Sequence, residues 1–377
     1  MADNFDVEVP DIPLPAEEQS NEIVDSFQGA FKFAIVGAGQ GGGRLAQTFW
    51  KMGYQRTAVV NTSEQDLATI DMPAERKLLI GSGGAGKNPQ VAVSLMKEKK
   101  EDVLDFMRRS FGPGFDRVIC CASAAGGTGS GTLIHMIDVA IELQQSLKTT
   151  SQKVGVVLAL PKISEGQKLN ANAYHILKDV CDLVDKGVVS PLILVDNEKI
   201  STLYPRLAVD PFWDTANRSL ISLFHLFNLT AIRESRYTSL DPSDLKTILD
   251  SGLITFGATP VENWADATAI SFAIRNSLKK NILSGGVSIE TGSTAGAMII
   301  GSEEVLNQVP QTNLDTAFEQ LTRILKPGNT VHRGIYRGNK PGLVVYTMIG
   351  GLDRPVDKLA DLCKIGHVQN IQNIWPR

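Results

Sequence analysis

The strongest constraint on this chain is a run of glycines at a strand-to-helix junction. Ala124-Ala125-Gly126-Gly127-Thr128-Gly129-Ser130-Gly131-Thr132 follows the apolar Val118-Ile119-Cys120-Cys121-Ala122 and precedes the helix-patterned Leu133-Ile134-His135-Met136-Ile137-Asp138-Val139-Ala140. The pattern predicts a buried strand, a glycine-rich turn and a helix start. Backbone N–H groups left uncovered at the positive end of a helix dipole suit a phosphate. A short glycine motif also serves simply as a tight turn that lets strand and helix pack. The usual P-loop is excluded, because no lysine follows the glycines in the GxxxxGK(S/T) spacing.

That turn is one of several. Strands are expected over 31–36, 56–60, 77–80, 118–122, 154–160 and 191–195, with helices over 45–52, near 91–110 and over 169–185. Strands alternating with helices predict a doubly wound parallel α/β sheet, and the glycine-rich turns all leave strands at their carboxyl ends, where such sheets bind ligands. A helix over 210–234 with a broad apolar face is expected to connect this part to the next. Beyond it the texture changes to an α+β pattern, with strands over 253–256, 295–300 and 343–349 and helices near 264–282, 313–325 and 355–365. The expected division is an acidic arm over 1–30, a nucleotide domain over 31–209, a central helix over 210–235, a smaller α+β domain over 236–354, and a closing helix and short tail over 355–377.

A chain of 377 residues has room for about two domains. Its 43% hydrophobic and 21% charged content is that of a soluble globular protein. No apolar run approaches the ~18 residues of a membrane span, and no cationic start leads into an apolar stretch. The net charge of −4 argues against a broad basic face for direct nucleic-acid binding. Cys120, Cys121, Cys181 and Cys363 have no metal-ligand spacing and read as structural thiols in a reducing cytoplasm. The first 30 residues carry acids, prolines and no Lys or Arg, which fits either a solvated tail or an arm that docks on a neighbouring subunit.

Gly37-Ala38-Gly39-Gln40-Gly41-Gly42 satisfies GxGxxG, the dinucleotide fingerprint of nicotinamide and flavin enzymes. Such enzymes place an acid at the end of the next strand, where this chain has Asn61. A dinucleotide site also leaves the other glycine-rich turns unexplained. An oxidoreductase is therefore the weaker alternative.

Ala125 to Gly131, AGGTGSG, closely resembles the GGGTG(S/T)G signature of the tubulin/FtsZ superfamily, with Ala125 replacing the first glycine. The resemblance runs from about Phe31 through the C-terminal domain. It implies that Gly126, Gly127, Thr128, Gly129, Ser130 and Gly131 cradle the phosphates of GTP or GDP. Ala38-Gly39-Gln40 resembles the AGQ of the first loop, implying Gly39, Gln40 and Gly41 at the phosphates, Gln40 facing Mg²⁺, and Arg44 near the nucleoside. Asn61 lies in a VNT(D/S)-like second loop, and Ala85, Gly86, Lys87 and Asn88 lie in a GAGxNP-like loop that senses the γ-phosphate. The resemblance further implies Glu165 at the ribose and Asn197 and Asn217 at guanine; an Asn amide offers the donor and acceptor a base edge needs. The FtsZ-type Arg after the ribose loop is absent, Leu169 standing in its place.

Asp241 and Asp244, in Ser239-Leu240-Asp241-Pro242-Ser243-Asp244, can share one face of a helix start. They also form a good N-cap with an acidic first turn. The segment resembles the superfamily's NxDxxD loop, with Ser239 replacing Asn, which implies that the two carboxylates position the attacking water on the GTP of the next subunit of a head-to-tail filament. Leu158-Ala159-Leu160-Pro161, Asn88-Pro89-Gln90-Val91 and Leu194-Val195-Asp196-Asn197 are most similar to the TubZ-type proteins of plasmid and phage DNA segregation. The partners implied are further copies of the chain and a DNA-binding adaptor, without direct nucleic-acid or membrane contact, although the long basic tail of TubZ proteins is lacking. A division or shape role of the FtsZ or archaeal tubulin-like kind is the alternative within the family.

Overall fold

The computed structural model describes residues 29–203, 209–279, 286–325 and 328–368; the expected N-terminal arm and the last residues of the tail lie outside them. In chain order the elements are β1 (Phe33–Ala38), α1 (Gly39–Lys51), β2 (Thr57–Asn61), α2 (Glu64–Ala68), β3 (Lys77–Leu79), α3 (Pro89–Glu98), α4 (Lys100–Phe111), β4 (Arg117–Ser123), α5 (Gly127–Leu147), β5 (Val154–Leu160), α6 (Gln167–Asp185) and β6 (Val189–Asp196). There follow α7 (Asn197–Leu203), α8 (Val209–Thr230), α9 (Pro242–Leu249), β7 (Leu253–Val261), α10 (Ala269–Lys279), β8 (Thr294–Gly301), α11 (Glu303–Leu306), α12 (Gln311–Ile324), β9 (Thr330–Arg337), β10 (Leu343–Leu352) and α13 (Val356–Ile365).

The strands form one ten-stranded sheet in the order β3-β2-β1-β4-β5-β6-β7-β10-β8-β9. From β3 to β7 every pair is parallel, as the alternating pattern predicts, while β10 runs antiparallel to both β7 and β8. β1 shows how sequence sets the layers. Phe33 and Ile35 face one side, against α1 and α8, while Ala34, Val36 and Ala38 face the other, against α4 and α5. Period-two alternation with apolar residues on both faces is what a sheet covered by helices on both sides requires. Phe49 of α1 and Phe224 of α8 meet edge to face at 6.0 Å over the sheet, and each such ring removed from water contributes roughly 1.5–3 kcal/mol.

The seam between β6 and β7 is short: only Leu192↔Leu253 and Ile193↔Ile254 are paired, against nine pairs between β10 and β7. Where these two strands begin, the buried Arg117 fastens the seam. Its Nη1 donates to the carbonyls of Ser190 (2.8 Å) and Leu249 (3.2 Å), its Nε to Ser151 Oγ (3.0 Å), and its Nη2 pairs with Asp250. Burial pushes the Asp250 carboxyl up, but Lys246 and Arg117 together outweigh that and hold it below its ordinary value.

Three expectations change. The single helix near 91–110 is two, α3 and α4, broken at Lys99, whose ψ of 17° leaves the helical region. The strand expected to end at Phe256 continues to Val261. The edge strand β9 is an element the pattern did not reveal, because its first four residues alternate poorly and only Gly334, Ile335 and Tyr336 are buried. Among the described residues no helix is long and apolar enough to cross a membrane.

Candidate active site

β1 and β4 lie side by side, with Ala38 opposite Ala122, and the helices that leave them, α1 and α5, both begin without a side-chain cap. The neighbouring α2 and α3 are capped by Ser63 and Asn88, while α4, α6, α12 and α13 also start without a side-chain cap but do not leave β1 or β4. Two uncapped starts at the carboxyl edge leave backbone N–H groups and two positive dipole ends for an anion. The signature residues are mostly the first turn of a helix, since α5 starts at Gly127. A methyl group added at Gly126 would meet nothing within 4 Å, so open space lies in front of the turn. Gly127, Gly129 and Gly131 instead bring neighbouring segments together. Gly127 packs on Ala85 and Asn88, Gly129 on Ser123 and Ala38, and Gly131 on the backbone of Pro89. Gly39 lies against Gly129 in turn.

The hydroxyls of the motif point inward. Ser130 Oγ donates to the Gly126 carbonyl, Thr132 Oγ1 to that of Thr128 (2.8 Å), and Thr128 Oγ1 shares a 2.7 Å hydrogen bond with Thr62 Oγ1. Asn61 is fully buried, and its Oδ1 accepts from the backbone N–H of Thr62 (2.8 Å) and Ser63 (3.2 Å). These bonds shape the second loop, and among the described residues its Nδ2 is buried without a partner. Gln40 and Lys87 are exposed at the same edge, and Arg44 and Gly41 are half-buried. Lys87 sits at φ 58°, between Gly86 and Asn88. Asn172 of α6, which the sequence did not single out, ties this loop to the signature by donating to the carbonyls of Lys87 (3.3 Å) and Ala125 (3.2 Å).

At the base end, Asn197 opens α7 and Asn217 lies in α8, both nearly buried. Glu165 is exposed, and its Oε1 accepts from the Lys162 N–H (2.9 Å). Glu198 binds the next N–H, that of Ile163 (2.9 Å), so the segments expected at the ribose and at guanine are joined. Asp196 accepts from the Glu198 N–H (3.1 Å) and from Lys358 Nζ of α13 (2.9 Å), a buried ion pair that reaches across from the second half of the chain. Burial draws the Lys199 ammonium below its ordinary pKa, against the pull of Asp196.

The carboxylate pair lies elsewhere. α8, 22 residues long, spans about 33 Å and ends where Asn228 clamps the start of β1, its Oδ1 accepting from Phe31 N–H (2.8 Å) and its Nδ2 donating to Phe31 O (2.9 Å). The turn then leads to Asp241, which caps α9. The Asp244 N–H donates to Asp241 Oδ1 (2.9 Å) and the Asp241 N–H to Asp244 Oδ2 (3.2 Å). The strand β9 builds this turn. Ile335 N–H donates to Thr238 O (2.9 Å), Ser235 Oγ bonds Ile335 O, and Tyr336 Oη accepts from Leu240 N–H (2.7 Å). A side chain at Gly334 would strike the Tyr336 ring and crowd Leu240 N at 3.1 Å, so glycine there lets the tyrosine fold back onto its own strand. His332 Nδ1 lies 2.7 Å from Asp244 Oδ1. Since β9 is six strands from β4, the pair stands well to the side of the cradle.

One ten-stranded sheet, parallel from β3 to β7 and mixed beyond, carries an anion cradle at the carboxyl edge of its parallel part and a carboxylate turn beside β9, an arrangement like that of the tubulin-like GTPases. Residues 32–205 match the model of the Tubulin/FtsZ family, GTPase domain. The tubulin-like protein CetZ of Methanothrix thermoacetophila is 27% identical over 276 residues, 71% of each chain. The cell division protein FtsZ of Methanothermobacter thermautotrophicus is 25% identical over 319 residues, 81% of this chain and 75% of the other. In fold, a GTPγS-form protofilament of TubZ from Bacillus thuringiensis serovar israelensis matches with a TM-score of 0.78 at 18% identity, over 91% of this chain and 94% of that one. CetZ from Methanosaeta thermophila matches with 0.67 at 23% identity, over 88% and 90%.

Proposed function

We propose that this chain assembles head to tail and hydrolyses GTP only at the junctions between copies. One observation carries the reading: Asp241 and Asp244 stand beside β9, six strands along the sheet from β4 and the chain's own cradle, so they serve a nucleotide held by another copy. The triphosphate lies in the open space before Gly126, against the N–H groups that begin α1 and α5, with Lys87 and Arg44 adding positive charge and Asn197 and Asn217 meeting guanine. Gln40 would face a Mg²⁺ brought in with the nucleotide, which would supply charge neutralisation at the phosphates; among the described residues no cluster of three or more His, Cys, Asp or Glu side chains would hold a metal by itself. Phosphoryl transfer asks mainly for positioning and charge stabilisation, and the incoming carboxylates orient a water for in-line attack. A contact repeated by one operation without closure gives a filament, so hydrolysis times the life of each contact.

The test is right-angle light scattering of the purified chain on adding GTP with Mg²⁺, with phosphate release followed across protein concentrations. A scattering rise that decays as GTP is spent, with turnover per molecule climbing above a critical concentration, is expected. Turnover per molecule that stays flat with concentration overturns the shared site.

The cargo we infer is plasmid or phage DNA, carried in the cytoplasm through a DNA-bound adaptor. The TM-score to TubZ, 0.78, favours it, and the net charge of −4 disfavours a direct grip on DNA. The 25–27% identity to FtsZ and CetZ chains favours a second reading, a division or shape filament. Deleting the gene and following both plasmid inheritance and cell outline separates the two.

A further inference from the structure

The two carboxylates of the turn are held differently. Asp241 is exposed, and only its Oδ1 is engaged, by the Asp244 N–H; among the described residues its Oδ2 accepts no hydrogen bond. Asp244 is three-quarters buried, and both its oxygens are engaged, Oδ2 by the Asp241 N–H and Oδ1 by His332 Nδ1 at 2.7 Å. The ring is itself largely buried, 12% exposed. A capping box needs only the backbone contacts, so the imidazole is an addition to it.

We propose that His332 is a positioning residue for hydrolysis. Its Nδ1–H fixes the rotation of the Asp244 carboxylate, and through the reciprocal cap this holds Asp241 with its free Oδ2 directed outward, toward the water of the neighbouring copy. The proposal rests on the reading of Asp241 and Asp244 as the water-positioning pair. Accepting carboxylate chemistry requires the proton on Nδ1. Among the described residues Nε2 is buried and has no partner, and an Nδ1–H aimed at Oδ1 fixes the direction of the Asp244 carboxylate. The site belongs to β9, so the strand at the edge of the sheet sets the geometry of chemistry performed on a different molecule.

The distinguishing experiment compares H332A, H332N and H332Q in the full chain, measuring phosphate release per sedimented subunit, GTP affinity of the unassembled protein, and Tm. An Asn amide presents its N–H where Nδ1 stands; a Gln amide presents it where Nε2 stands. Small misplacements of an orienting group cost about tenfold or more in rate. H332A and H332Q are expected to lose about tenfold in turnover with GTP affinity unchanged, and H332N to stay within about twofold of the parent. Equal turnover in H332N and H332Q overturns the proposal, as does full turnover in H332A. Should H332A fail to fold, the Asn and Gln variants decide alone. D244A run beside them separates the two layers: full turnover in D244A removes the water-positioning reading itself, whereas loss in D244A with none in H332Q removes only the role of His332.

Discussion

The nucleotide edge and the carboxylate turn are both polar sites at the rim of one sheet, yet they are made of different material. The edge is made of backbone: two uncapped helix starts, and glycines that let α1, α3 and α5 close on one another. The turn is made of side chains, with Tyr336, Ser235 and His332 reaching Leu240, Ile335 and Asp244 across about a hundred residues of chain. A backbone site tolerates few changes at its glycines and many at its rim. A side-chain site has the opposite sensitivities, because each contact is a single replaceable group.

The comparison is broken most directly at the carboxylates. D241N and D244N are expected to lower turnover per assembled subunit by about 10²–10⁴-fold, the usual worth of a positioned acid or base, while GTP affinity of the unassembled chain is unchanged. A parallel loss of affinity would mean that the two sites are not separate. α8 serves both regions, and His225 tests how firmly it holds to the first. Burial lowers the His225 imidazole from 6.5 to about 4, with its Nδ1 3.2 Å from Tyr54 Oη. The unfolded chain then takes the proton before the folded one, so stability is full above pH 6.5 and erodes as pH falls toward 4. The loss is up to about 3 kcal/mol, and urea midpoints measured along that range should flatten in H225Q.

Smaller effects sharpen the contrast. G131A and G334A each force a methyl into a filled space and should cost about 1–3 kcal/mol. Isothermal titration with GTP is expected to weaken for G131A alone, and turnover per assembled subunit to fall with intact affinity for G334A alone. G126A should leave the unfolding free energy within about 0.5 kcal/mol of the parent, because its methyl enters open space, while GTP affinity drops. A variant that binds GTP as well as the parent would move the phosphates away from Gly126.

The same contrast explains what the sequence disclosed. Helix starts and close approaches are written locally, so Gly126 to Gly131, Gln40 and the Lys87 loop are legible as turns at one edge of the sheet, and the parallel pairing of β1 to β6 follows from the alternation of elements. Asn61 was placed at the nucleotide by resemblance, but its side chain serves the loop backbone, a distinction that burial alone reveals. The Asp241–Asp244 cap was legible because it is local as well. Its supports were not: Gly334 is just a glycine until Tyr336 folds over it, and His332 lies in a stretch of weak alternation on an edge strand. Asn172 and Lys358 likewise act over distances that no spacing in the chain records.

The short seam between β6 and β7 gives the molecule a mechanical character. At one end the fan of hydrogen bonds from Arg117 makes a pivot; at the other, past two paired residues, stands the buried Lys358–Asp196 ion pair. The carboxylate of that pair also binds the N–H of Glu198, next to Asn197, so α13 is fastened to the start of α7. Arg354, just before α13, pairs with Asp182 and Asp185 of α6, so the closing helix is tied to the parallel half by two cations, at the carboxyl edge through Lys358 and along α6 through Arg354.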